Sequence, residues 1–239
     1  MHSYMNRQLN AQKGFTLIEI AIVLVIIGLL LGGVLKGQEL INTARVRALN
    51  NSVDGITAAW FSFQDRYRAF PGDYRQATIN LPDPNTILVN GDGNGLVATD
   101  VERGQIWAHL ESAGYITGGF NGDAIAAADE YACQVGNCPD NGFGSGMLVN
   151  HGLLQVGTAA QANPTNAHEL NTGRGIPVDV LAELDRKVDD GVPTTGLMQV
   201  GINGTGWTNS AACINTTPTP DAYQVLNPTD DCAAVFRNF

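Results

Sequence analysis

The chain has 239 residues, 44% of them hydrophobic and 15% charged, and its 23 acidic against 13 basic residues give a formal charge of −10. That length accommodates one membrane segment and one globular domain of roughly 170 residues, large enough to bury its own core. The acidic balance argues against a general nucleic-acid binder, which needs a basic surface, so no nucleic-acid partner is expected.

Residues 15–35 form an apolar run in which Glu19 is the only charged residue. At helical rise such a run crosses a hydrocarbon core of roughly 30 Å. A carboxylate inside it costs about 2.5–3.5 kcal/mol on insertion scales, so Glu19 needs a partner. The helix is expected to continue, because Ile41, Ala44, Ala48, Val53, Ile56, Trp60, Phe63 and Tyr67 recur at spacings of three to five and form an apolar stripe. Pro71-Gly72 is the first firm stop, giving one helix from residue 15 to about residue 68, roughly 80 Å long. Gly28, Gly32, Gly33 and Gly37 interrupt it; they read either as points of close helix approach or local melting, or as ordinary glycine tolerance in a membrane helix.

Beyond the turn Phe70-Pro71-Gly72-Asp73-Tyr74, a polar loop leads to a short apolar run at 86–89. Asp100 is placed to cap a helix over 101–113 that carries Ile106, Trp107 and Leu110, with Gly114 at its end. Residues 147–149 and 153–156 flank Asn150-His151-Gly152 and predict a hairpin. Pro177 opens a second helix over 178–188; Asp185, Asp189 and Asp190 form a second acidic group, read as its solvated end, with metal binding as the alternative. Strands are expected at 197–202 and 233–236. The expected class is α+β: a long N-terminal helix, transmembrane in its first half, packed on a small mixed or antiparallel β head with short helices.

Four cysteines, Cys133, Cys138, Cys213 and Cys232, fit an oxidising compartment. Of three possible pairings the local ones are favoured, Cys133 with Cys138 and Cys213 with Cys232. Zinc is disfavoured because no Cys-x-x-Cys and no histidine at ligand spacing occur. Asn90-Gly91-Asp92-Gly93-Asn94-Gly95 places side-chain oxygens at alternate positions with glycine sixth, as the first half of a calcium loop does. Its twelfth position is Val101, so Asp100 or Glu102 would have to complete the shell. Calcium at Asn90, Asp92, Asn94, Asp100 and Glu102 is thus one reading, and a glycine-rich turn is the other; no other cofactor is expected. His2, His109, His151 and His168 sit in no ligand pattern, and Gly144-Ser145-Gly146 lacks the outer glycines of a nucleophile elbow, so the chain is not expected to be an enzyme.

The stretch Lys13-Gly14-Phe15-Thr16-Leu17-Ile18-Glu19-Ile20 resembles the processing site of type IV prepilins and type II secretion pseudopilins, residue by residue at Gly14, Phe15 and Glu19. The resemblance implies cutting between Gly14 and Phe15 by a prepilin peptidase and methyltransferase, with N-methylation of Phe15. Loss of Arg7 and Lys13 with the leader takes the formal charge from −10 to −12. The implied organisation is a leader at 1–14, a long helix at 15–70 (transmembrane at about 15–35) and an extracytoplasmic head at 71–239. The implied location is the bacterial inner membrane, single-pass with the head in the periplasm, and then a pilus or pseudopilus built from homologous or identical subunits. There the amine of a neighbour's Phe15 would face Glu19 and set register; alternatively Glu19 snorkels or pairs within its own chain. The Cys213–Cys232 loop resembles the terminal disulfide loop of many pilins, and three head segments, at 70–74, 90–95 and 184–191, weakly resemble those of large prepilin-type proteins. The competing class is a membrane-anchored, adhesin-like binding module that does not polymerise.

Overall fold

The computed structural model describes residues 16–83, 85–126, 133, 136–151, 167–201, 210–217, 219–237 and 239. Helix α1 runs Leu17–Tyr67 without a break. The chain separates into two compact units, Met1–Asn42 and Thr43–Phe239. In the first, the apolar side chains from Leu17 to Leu40 are exposed. In the second, α1 buries Val46, Leu49, Val53, Ile56, Ala59, Trp60 and Phe63, spaced by three and four residues as one face of a helix requires.

Trp60 and Phe63 anchor that core, both 0% exposed. The Trp60 ring lies 5.5 Å from Phe70, 5.3 Å from His168 and 5.8 Å from Phe239. A short helix α2 (Ala77–Asn80) precedes α3 (Asp100–Ser112), which is buried from Glu102 to Leu110. Thr99, rather than Asp100, caps α3: its hydroxyl accepts the Glu102 N–H while Glu102 reaches back to the Thr99 N–H, a reciprocal capping box. Asp100 instead pairs with the buried Arg103, which also donates to the carbonyls of Ala98 and Ile125. Gly114 follows the helix at φ +81°, the left-handed position that ends many helices.

Four strands form an antiparallel sheet in the order β1 (Leu148–His151), β2 (His168–Asn171), β6 (Ala234–Phe236), β3 (Met198–Val200). Helix α4 (Val178–Val188) packs against β3, and a second pair, β4 (Ile214–Asn215) and β5 (Ala222–Tyr223), follows a one-turn helix α5 (Ser210–Cys213). The disulfides Cys133–Cys138 and Cys213–Cys232 are both formed. The layout is α+β, with a long N-terminal helix followed by short helices and a small antiparallel sheet.

Two further local expectations are corrected. Asn150 and His151 are not a turn but the end of β1, whose partner is β2; residues 153–156 lie outside the described residues. At the apolar run 86–89 the Asp83 carboxylate accepts the N–H groups of Ile87 and Leu88. The end of α4 is not solvated throughout: Asp185 is 0% exposed.

Candidate processing and assembly site

The first turn of α1 is built by two residues. Thr16 donates to Glu19 Oε2 from its backbone N–H and from its hydroxyl, each at 2.8 Å, and the Glu19 N–H donates back to Thr16 Oγ1 at 3.3 Å. This is a capping box, which satisfies donors that the start of a helix leaves without partners. The sequence signal for it is the spacing Thr16-x-x-Glu19, which the charge of Glu19 alone does not reveal. The described hydrogen bonds to this carboxylate fall on Oε2. Gly14 and Phe15 lie outside the described residues.

Behind this turn the helix offers an apolar surface that is exposed among the described residues. Its best 18-residue window has a mean hydropathy of 2.8 and is 0% buried, long and apolar enough to cross a membrane. Leu17, Leu24, Leu29 and Leu35 are each exposed over more than half of their surface. At Gly28, Gly32, Gly33 and Gly37 no described atom beyond the neighbouring residues and the helix's own backbone lies within 4 Å of where a Cβ would stand. What the arrangement can do chemically is present one carboxylate, held in place by its own chain, at the head of a surface that water does not tolerate.

The calcium-type loop is organised differently from its expected pattern. Its centre is Asp73, 3% exposed, whose Oδ1 accepts the N–H groups of Gly93 and Asn94 at 2.5 and 3.1 Å and whose Oδ2 accepts that of Gly95 at 2.8 Å. Burial nonetheless raises the Asp73 carboxyl above its ordinary value, with Asp92 and Glu102 adding to the rise against the Gly95 and Gly93 hydrogen bonds. Of the five expected ligands, Asp92 and Glu102 come together with Asp73, one oxygen from each within 4.8 Å. Asn90 Oδ1 serves Thr78, Asn94 Oδ1 serves the Leu96 N–H, and Asp100 serves Arg103. Asp73 was read only as a turn residue; no sequence spacing links it to residues 93–95.

His109 and His168 are built into the core, and His151 is half-buried beside His168. His109 Nδ1 accepts the Gly72 N–H at 2.9 Å and Nε2 lies 3.0 Å from the Val89 carbonyl, which fixes one neutral tautomer. Burial lowers its pKa to about 4, the Val89 contact pulling the other way. His168 Nε2 accepts the Val97 N–H at 3.1 Å; burial, with His151 beside it, lowers it to about 4 as well.

Residues 9–35 match the family model described as the prokaryotic N-terminal methylation motif, which is the signature of type IV pilins and pseudopilins. No curated protein matches the chain.

Proposed function

We propose that this type IV pilin-like or pseudopilin precursor, a structural protein rather than an enzyme, is the precursor of a filament subunit. Cleavage falls between Gly14 and Phe15, Phe15 is N-methylated, and the mature chain assembles through α1 into a type IV pilus or a type II secretion pseudopilus. Before assembly the protein is held in the inner membrane with residues 43–239 in the periplasm. The observation that carries this reading is the first turn of α1: a lone carboxylate, kept in one place by Thr16, heads an apolar helix whose surface is left uncovered.

In a bundle of such helices, the Glu19 carboxylate is the only charged acceptor that an incoming Phe15 amine meets within the apolar run. The low dielectric there strengthens the pair and penalises any register that leaves it unmade. Its partners are therefore other pilin or pseudopilin subunits, together with the prepilin peptidase that creates the amine. Replacing Glu19 by Ala removes the register signal and a desolvation cost together. Filament incorporation should fall while membrane insertion stays equal or improves.

The test is the composition of filaments sheared from the native cell, with the mass of the amino-terminal peptide. The expected peptide begins at N-methylated Phe15. Residues 1–14 retained in the presence of a prepilin peptidase would refute the reading. Processed protein abundant in sheared filaments marks a pilus subunit, and processed protein kept in the membrane marks a minor or secretion component.

A further inference from the structure

Helix α4 and the carboxyl-terminal disulfide loop meet at Asp185. Its carboxylate is fully buried; Oδ2 accepts the Tyr223 hydroxyl at 2.8 Å, and Oδ1 accepts the Gly191 N–H at a long 3.4 Å. Tyr223 is itself 8% exposed and belongs to β5, inside the loop that Cys213–Cys232 closes. One side-chain hydrogen bond thus crosses from the helix to the hairpin, out of reach of water.

The ionisable groups that face Asp185 oppose its charge. Asp189 and Asp190, in the turn after α4, bring carboxylate oxygens within 4.8 Å of its own. They are fixed there: Asp189 accepts the Met198 N–H at 2.9 Å, and Asp190 accepts the Val192 N–H at 2.8 Å and the Thr195 hydroxyl at 2.5 Å. Arg186 and Lys187, the next residues on α4, are exposed, and Lys187 is paired with Glu183. The strand packed on α4, β3, brings Met198, Gln199 and Val200, none of them ionisable, and β5 brings Tyr223.

We propose that Asp185 and Tyr223 form an acid-strengthened latch, in which protonation of Asp185 fastens the Cys213–Cys232 hairpin to α4 and ionisation loosens it. A neutral carboxyl suits this dry, acid-flanked position and can exchange donor and acceptor roles with the tyrosine hydroxyl; an ionised one is desolvated and repelled. Burial accordingly pushes Asp185 up to about 6, with Asp190 and Asp189 adding to it and the Tyr223 and Gly191 hydrogen bonds pulling the other way. The latch contribution is fully present below the ordinary aspartate value of 3.8 and is lost as pH rises through about 6.

The other fastenings of the loop behave differently. The disulfide does not titrate, and the Arg174 fork on Asp231, at 2.7 and 2.5 Å, holds that carboxyl below its usual range. The loop's outer turn carries Leu226, 92% exposed, and Val225, 48% exposed. Opening of the latch sets this apolar tip free while its base stays tied. The latch does not depend on assembly, so it stands or falls separately from the filament reading.

The experiment uses the full chain in detergent micelles, treated with chelator so that no bound cation replaces the proton. The Asp185 carboxyl is titrated by NMR, and amide exchange in β4 and β5, corrected for intrinsic rates, is measured at about pH 5 and about pH 7.5 in the wild type, Asp185→Asn and Tyr223→Phe. The expected wild-type midpoint is near 6, with hairpin protection falling about tenfold between the two pH values. Asp185→Asn should hold its protection at both, and Tyr223→Phe should be weaker at the acid end. A midpoint below about 5, or an equal fall in Asp185→Asn, overturns the latch. If that variant does not fold, the wild-type titration alone decides.

Discussion

Glycine serves opposite ends in two helices of this chain. Within α1, Gly28, Gly32, Gly33 and Gly37 have no described atom beyond the helix's own turn within 4 Å of a would-be Cβ, whereas in α3 a Cβ on Gly104 would collide with the backbone carbonyl of Asp123. In both places the residue costs about 1 kcal/mol relative to alanine in helix propensity. For α3 the chain itself recovers that cost, because the bare backbone lets residues 123 and 124 press against the helix. Among the described residues nothing does so for 28–37, and the apolar side chains around them are exposed. Residues 46–63 of the same helix show the contrast again, since their apolar face is buried against the chain's own core.

The comparison can be broken most forcefully at Trp60. Its replacement by Ala should cost about 3–5 kcal/mol, measured by chemical denaturation followed through far-ultraviolet circular dichroism. A cost below about 1 kcal/mol would mean that the second unit does not rest on this face. Acid comes next. The folded pKa of His109 lies at about 4, below its ordinary 6.5, so the unfolded chain binds the proton first. The stability that depends on neutral His109 is complete above about 6.5 and should fall by about 3 kcal/mol as pH drops to about 4. His109→Gln should flatten that part of the thermal-midpoint curve. Because His168 titrates in the same direction, a residual slope is expected.

Gly104→Ala should destabilise by about 1–3 kcal/mol despite the better helix former, read by the same denaturation. Gly32→Ala should leave the fold of the isolated chain untouched and reduce its yield in sheared filaments. If both alanines behave alike in the isolated chain, the contrast between the two helices is wrong. Calcium is the smallest effect expected. The Asp73, Asp92 and Glu102 carboxylates are already occupied with backbone N–H groups and Asn94. Millimolar calcium should therefore move the thermal midpoint by no more than about 1 °C, and a larger rise would establish the loop as a calcium site.

What could be read from the sequence was whatever depended on period and local chemistry. The apolar run and the stripe to Tyr67 gave α1 almost to its last residue, and Pro177 with the acids after residue 188 framed α4. Strand β2 escaped because His168-Glu169-Leu170-Asn171 has no apolar alternation, yet all four residues are buried. Two of its polar side chains have partners remote in sequence, His168 Nε2 accepting the Val97 N–H and Glu169 Oε1 the Arg237 guanidinium, while Asn171 Oδ1 accepts the Gly173 N–H two residues on. In the same way Asp73 and Asp185 looked like surface acids, since only tertiary contact covers them. The first turn of α1 is legible in the spacing Thr16-x-x-Glu19, a local pattern that needs no tertiary contact.

The polar make-up of β2 also bears on how the sheet avoids errors. A strand of plain alternating hydrophobics can slide by two residues and lose little, but β2 pairs Val149 with Leu170 and Asn171 with Val235 in one alignment only. Sliding would withdraw Glu169 from Arg237 and His168 from the Val97 N–H, leaving buried groups without partners at about 1–3 kcal/mol each. The strand proofreads its own alignment, and a chain whose sheet closed out of step would be marked by its instability before it could join anything.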